Sequence, residues 1–327
     1  DGSVDRTVGI CERYSGKFSN QLKLVRKPDS NGKPSALNYA LKHATGEMIA
    51  VLDADSVLEP DALSRLTKHF EDQSIAAVQG RACSINANEN MLAKFISYEE
   101  TVRYETYIRG KAILKLFVPL TGSCYCVRRT ILDEVGGWED QALSEDMEMA
   151  AKLTERGHRI KYAPDVRSWQ ENPTSLTQLF SQRIRWFRGS MEVSLKYGRL
   201  LRNPSRTSFD AEMTLTGPFM FLPSILGYIL GLLSLVFPLS QSSLLAIMSQ
   251  GLMFVNTMTL FLIGLALIHL TKPKKVTSLL WLPFVYGYWM VQNLVALCAF
   301  AQIVLKRPRK WMKTARSGVA TETNYVP

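Results

Sequence analysis

Met48-Ile-Ala-Val-Leu-Asp-Ala-Asp-Ser-Val-Leu-Glu-Pro60 is the stretch on which the fold turns. An apolar run, Met48 to Leu52, stops at two carboxylates, Asp53 and Asp55, with only Ala54 between them. A short apolar run closed by polar turn residues is the pattern of a strand buried in an α/β sheet. Ligands of such sheets bind beyond the carboxyl ends of the strands. Two acids at that place suit a hard divalent cation with oxygen ligands, and a diphosphate is the natural companion of such a cation. An isolated Asp-x-Asp can equally be a solvated turn, so its neighbours decide between the two readings. An EF-hand loop is excluded, because Leu58 stands where that loop needs glycine.

Working outward, Asp5 to Tyr14 reads as a helix and Leu22 to Arg26 alternates like a strand. Asn31 to Ser35 is a turn that opens a helix over about 35–43. Gly32-Lys33 is not a P-loop, since Pro34 occupies the Ser/Thr position, yet a lysine beside a helix N-terminus suits phosphate as well as it suits solvent. Pro60 starts a helix to about Glu71, and Ile75 to Ile85 is a second apolar strand. Asn88 to Lys115 is a long aromatic helix, and Thr121 to Arg129 is a short strand entered through Gly122. Ser144-Glu-Asp146 opens a helix closed by Gly157. Acids in a first turn can be simple dipole partners or, at the edge of a cleft, a general base. The helix from Ser175 to Lys196 carries Gln182, Arg185 and Trp186 at i, i+3 and i+4, one face presenting an amide, a guanidinium and a large ring. That set suits a phosphate-plus-sugar ligand, with a structural Arg–Trp pair as the alternative.

The 327 residues carry a net charge of +10. Hydropathy is uneven: Met213 to Thr271 and Val276 to Leu305 contain no Asp, Glu, Lys or Arg. Such runs exceed the ~20 residues that span a bilayer, so the basic balance fits anionic lipid and a phosphate-bearing substrate, and no nucleic-acid partner is expected. The cysteines, Cys11, Cys83, Cys124, Cys126 and Cys298, form neither a disulfide framework nor a zinc spacing.

The order of these motifs resembles the membrane-bound family 2 glycosyltransferases, the group of cellulose, chitin, hyaluronan and poly-N-acetylglucosamine synthases. The residues that carry the resemblance are Asp1-Gly-Ser, Gly32-Lys33-Pro-Ser-Ala-Leu-Asn38, Asp53-Ala-Asp55, Ser144-Glu-Asp146 and Gln182-x-x-Arg185-Trp186, followed by apolar segments. The resemblance implies a GT-A domain, a Rossmann-like nucleotide-diphospho-sugar transferase of the α/β class, followed by transmembrane α-helices. It implies that Asp1, Lys33 and Asp53 bind the nucleotide, that Asp55 holds a divalent metal (Mn or Mg), and that Asp146 is the catalytic base. Gln182, Arg185 and Trp186 would bind the diphosphate and the acceptor sugar. A strand and any N-terminal membrane segment are expected ahead of Asp1, because Asp1-Gly-Ser-Val-Asp is a turn sequence of the kind that follows a strand.

The expected organisation is a GT-A domain over 1–200 and a membrane domain over 201–327, with spans at about 213–238 and 244–270 and a basic cytosolic tail. The segment 276–305 is expected to be re-entrant or interfacial, with a straight span as the runner-up, because it holds Pro283, Gly287, Gln292 and Asn293 and must leave the basic tail on the cytosolic side. The expected activity is inverting and processive in the synthase manner: transfer from a UDP-sugar donor to a β-linked polysaccharide by a multi-pass protein of the cell membrane whose catalytic domain is cytosolic. Two alternatives stay open at this point: transfer of one sugar to a lipid acceptor, and a non-catalytic nucleotide- or sugar-binding membrane protein.

Overall fold

A computed structural model describes residues 1–198, 205–236, 244–270 and 282–309. The strands are β1 (Met48–Val51), β2 (Val57–Leu58), β3 (Ile75–Ser84), β4 (Tyr125–Arg128) and β5 (Arg159–Gln170). They form a mixed sheet in the order β1-β4-β3-β5-β2, in which only β3 and β5 run parallel. Period-two alternation sets the two faces. Ala77, Tyr125 and Val127 point into one apolar layer with Phe117, Leu120, Leu132, Trp138, Met149 and Leu153. Val78, Cys124 and Cys126 point the other way, onto Ala62, Leu66 and Phe70.

The helices of the first part are α1 (Thr7–Lys17), α2 (Lys33–Leu41), α3 (Ala62–Lys68), α4 (Met91–Val102), α5 (Arg109–Ile113), α6 (Arg129–Glu134), α7 (Glu145–Glu155) and α8 (Leu176–Tyr197). A π-helical turn, Arg103–Ile108, joins α4 to α5, so the predicted aromatic helix is one rod with a bulge. The Ser175 hydroxyl caps α8 by accepting from the Gln178 amide.

Three expectations are corrected. Leu22 to Arg26 joins no strand, since the chain there has no sheet neighbour to pair with. β1 is not buried on all sides: it lies at one end of the sheet, and Leu52 is 41% exposed. β5 was not expected at all. Its charged residues and Pro164 argue against a central strand, yet the register between β3 and β5 shifts across this proline, where a bulge dispenses with the missing N–H.

Beyond the sheet come α9 (Arg206–Thr216), α10 (Phe221–Val236), α11 (Leu244–Leu270) and α12 (Leu282–Val304). Among the described residues, three helices are long and apolar enough to cross a membrane, within Arg206–Leu233, Ala246–Ala266 and Tyr286–Val304. α12 is unbroken, so no reversal occurs inside it; residues 276–281 of that segment, and 310–327 of the basic tail, lie outside the described residues.

The start of α7 sits directly on α8. A Cβ added at Gly189 would lie 2.9 Å from Ser144 Cβ and 3.0 Å from Ser144 N. Overpacking of this kind costs about 1–3 kcal/mol. Gly189→Val should therefore lower the melting temperature, which thermal unfolding checks.

Candidate functional site

Asp53 and Asp55 leave the end of β1 in a short turn, closed by the Ser56 amide donating to the Asp53 carbonyl at 3.0 Å. The turn is tied to the segment before β4: the Asp53 amide donates to Ser123 Oγ at 3.0 Å, and the Ser56 and Ser123 hydroxyls lie 2.9 Å apart. Gln79, fully buried in β3, supports that segment by accepting from the Thr121 amide at 2.8 Å and donating to the Ser123 carbonyl at 3.1 Å.

Lys33, in the first turn of α2, is the hub. Its ammonium lies 2.6 Å from Asp53 Oδ1 and 2.9 Å from Glu145 Oε1, and donates to the Gly122 carbonyl at 2.6 Å. Burial alone would lower its pKa, but Glu145 and then Asp53 outweigh burial, and the pKa stands above its ordinary value. Gly122 has a φ of +84°, and a Cβ there would meet Asp146 Oδ2 at 3.4 Å and Asp53 Oδ2 and Lys33 Nζ at 3.9 Å. The glycine thus serves both backbone and space, because the side chains of three chain segments converge over it. Asp146 is raised above the ordinary aspartate range, by burial first and by neighbouring Glu145 second, with Lys33 opposing.

These groups form one wall of a cavity of about 440 Å³. Of the residues singled out in the sequence, Lys33, Asp53, Asp55, Asp146, Gln182, Arg185 and Trp186 all line it. Asp1 does not. Its carboxylate is held in the loop ahead of α2 by the Lys27 ammonium at 3.4 Å, the Ser30 hydroxyl at 3.3 Å and the Asn31 amide at 3.4 Å.

Other lining residues were not singled out. Glu145 is 3% exposed and is the second acid on Lys33; its place in Ser144-Glu-Asp146 was the available signal. Glu99, Glu100, Gln170, Asn172 and Arg183 also line the cavity. A Glu-Glu pair within the long aromatic helix was the available hint of the first two. Arg183 meets Glu99 at 2.9 Å and lies over the Trp186 ring, 4.6 Å from its centroid.

Asp53 and Asp55 fit a divalent cation by donor chemistry, since hard cations take carboxylate oxygens. Among the described residues no group of three or more His, Cys, Asp or Glu side chains gathers to hold one. A cation of the Mg²⁺ type needs only one or two carboxylates, with water and substrate phosphate completing its shell.

Comparison with known proteins gives the following. The profile described as "Glycosyl transferase family group 2" matches residues 48–297. A "Probable glycosyltransferase YdaM" of Bacillus subtilis (strain 168) is 31% identical over 332 residues, which is 97% of this chain and 78% of that protein. The "Poly-beta-1,6-N-acetyl-D-glucosamine synthase" of Staphylococcus aureus (strain COL) is 30% identical over 201 residues, or 60% of this chain. That match spans about half of the synthase, 47% of its length. Among solved structures, "Mannosyltransferase PcManGT from Pyrobaculum calidifontis in complex with GDP-Man and Mn2+" superposes with a TM-score of 0.57 at 19% identity, covering 94% of this chain and 76% of that one. At that identity the likeness speaks to the fold, which is the GT-A mixed sheet with flanking helices.

Proposed function

The chain belongs to glycosyl transferase family group 2, and from that premise we propose that it moves a sugar from a UDP-sugar to a growing β-linked polysaccharide, with inversion. The observation that carries the proposal is the convergence of Lys33, Asp53, Asp55, Asp146, Gln182, Arg185 and Trp186, from well-separated segments, on one cavity.

The chemistry follows from the residues. The bond from the sugar to the diphosphate breaks through an oxocarbenium-like transition state, and negative charge grows on the leaving diphosphate. Lys33, fixed by Asp53 and Glu145, and Arg185 supply cationic donors for that charge. Asp55, with Asp53 beside it, would hold a divalent cation, which would supply Lewis-acid stabilisation of the same diphosphate. Asp146 accepts the proton of the attacking acceptor hydroxyl. With one base and no enzyme nucleophile the displacement is single, so an α-linked donor yields a β-linked product. Trp186 stacks on a sugar ring of the acceptor, and Gln182 donates to it. Asp1 contacts the nucleotide base from the loop beside α2.

In this reading residues 1–200 are the catalytic domain and 201–327 the membrane domain of a multi-pass protein of the cell membrane, with the catalytic domain cytosolic. The contacts of α12 support an interfacial placement over a crossing. Its Tyr288 hydroxyl donates to Glu99, and at its other end Arg188 of α8 donates to Gln302 and to the carbonyls of Arg307 and Pro308. Both ends are thus held by the globular part, and the basic tail begins on the catalytic side, as charge bias requires.

A lipid-borne acceptor is the second reading, favoured by the Tyr288–Glu99 contact, which brings an apolar helix to the cavity wall. The test uses membranes carrying the full-length protein with labelled UDP-glucose or UDP-N-acetylglucosamine, Mn²⁺ or EDTA, and sizing of the product. Metal-dependent, high-mass product from one donor is expected. Short, lipid-soluble product would transfer the proposal to the lipid acceptor.

A further inference from the structure

A second group of residues lining the cavity is built differently from the cluster around Lys33 and Asp53. Glu100 of α4 lines it, with Gln170 and Asn172 from the end of β5 and just beyond. Each oxygen of the Glu100 carboxylate receives one amide: Gln170 Nε2 donates to Oε1 at 3.2 Å and Asn172 Nδ2 to Oε2 at 3.4 Å. Asn172 is itself fixed, since it is 4% exposed, its Nδ2 also donates to Ser84 Oγ at 2.8 Å, and its amide donates to Asn86 Oδ1 at 2.7 Å. Each carboxylate oxygen has two lone pairs, so the amides leave room for further donors on both. Beside Glu100, Arg183 is 4% exposed and lines the same wall; one guanidinium nitrogen meets Glu99, while its Nε finds no acceptor among the described residues. A buried donor without a partner is costly, so this Nε is a strained feature of the wall behind Glu100 and not itself a contact open to the cavity.

We propose that Glu100, Gln170, Asn172 and Arg183 form the acceptor subsite, which binds the terminal pyranose through paired hydroxyls and sets which hydroxyl faces Asp146. The inference deepens the proposed function and rests on it. The arrangement matches a sugar's chemistry. A carboxylate held by two amides accepts from neighbouring hydroxyls, Arg183 covers one face of Trp186 and fixes the ring, and the other face of Trp186 takes the apolar side of the sugar. Preorganised donors and acceptors of this kind discriminate strongly, because an acceptor lacking the matching hydroxyl leaves them unpaired. Glu100 is therefore a specificity-determining residue, not part of the bond-breaking machinery.

The experiment separates acceptor recognition from donor chemistry. Membranes carrying the full-length protein receive the donor that supports wild-type transfer, and two products are followed together: labelled sugar joined to acceptor, and UDP released by transfer to water. Glu100→Gln should lower transfer tenfold or more while UDP release to water stays within twofold of wild type. As a second measurement that needs no donor, a titration with di-N-acetylchitobiose and with cellobiose, followed by tryptophan fluorescence, should show weaker binding by tenfold in Glu100→Gln and in Asn172→Ala. Equal loss of transfer and of UDP release, or no loss of transfer, would overturn the subsite. So would unchanged disaccharide affinity in both variants. Failure of the underlying reading looks different: wild type itself would release no UDP and join no sugar from any UDP-sugar, while the disaccharide titration would still judge the subsite.

Discussion

Asp146→Asn is expected to abolish transfer by about a thousandfold while nucleotide-sugar binding changes little. General-base removal costs about 10²–10⁴ in rate, and the adjacent acid is engaged elsewhere. Glu145 is committed to Lys33 at 2.9 Å and is 3% exposed. Asn keeps the size and polarity of Asp146, exchanging one acceptor oxygen for a donor NH₂, so the cavity survives. The same substitution should raise the melting temperature at neutral pH. Burial, then Glu145, raises the Asp146 carboxyl above its reference value of 3.8. A carboxyl whose folded-state pKa lies above its unfolded one favours the fold when protonated. That contribution is lost as pH climbs from the unfolded value through the raised one. At neutral pH the ionised carboxylate therefore opposes folding, and the neutral amide removes the opposition. Gain of stability with loss of activity marks a residue retained for chemistry. In the wild type, transfer should decline on the acid side at a higher pH than an ordinary aspartate would give. A rate–pH profile and thermal unfolding of both proteins measure these effects.

Lys33→Met is expected to fail in a different way. Removing the ammonium leaves Asp53, Glu145 and Asp146 gathered around Gly122 without their shared cation. Taking away one partner of a buried ion pair costs about 3–5 kcal/mol, because the remaining charge stays uncompensated. Lys33 is partly accessible, with 18% of its side chain exposed, so a loss of about 3 kcal/mol at the low end of that range is expected. Both stability and nucleotide affinity should fall, and acid pH should restore part of the stability by protonating the orphaned acids. Lys33→Arg keeps the charge but cannot reproduce a compact ammonium shared by two carboxylates and the Gly122 carbonyl. It should recover stability more fully than activity. Unfolding curves at two pH values, with a nucleotide titration of each variant, separate the two losses.

Much of the site was legible because its signals are local. An apolar run ending in Asp53 and Asp55 places them at a strand end, and helical spacing alone puts Gln182, Arg185 and Trp186 on one face. The ordering of those motifs carried the family and the GT-A fold. What stayed hidden depends on pairing across the chain. β5 reads as a charged, proline-interrupted stretch, and becomes a strand only because β3 and β2 accept it on either side. The edge position of β1 and the antiparallel insertion of β4 beside it likewise follow from long-range register, not from composition. Glu100 and Arg183 looked like ordinary charges on helices. They became cavity residues because α4 and α8 pack together and bring Glu99 to Arg183. Asp1 shows the reverse: a motif residue that the fold leaves outside the cavity, tied to Lys27 and Ser30.

The most direct test of a single displacement at this cavity is the configuration of the new glycosidic bond. The full-length protein in membranes would be given an α-linked UDP-sugar with ¹³C at the anomeric carbon, and the product's anomeric signal followed by NMR from the first turnovers. The account predicts a β-linked product appearing in step with UDP, and no such signal from Asp146→Asn. An α-linked product, or a β-linked product still formed at the wild-type rate by Asp146→Asn, would contradict it.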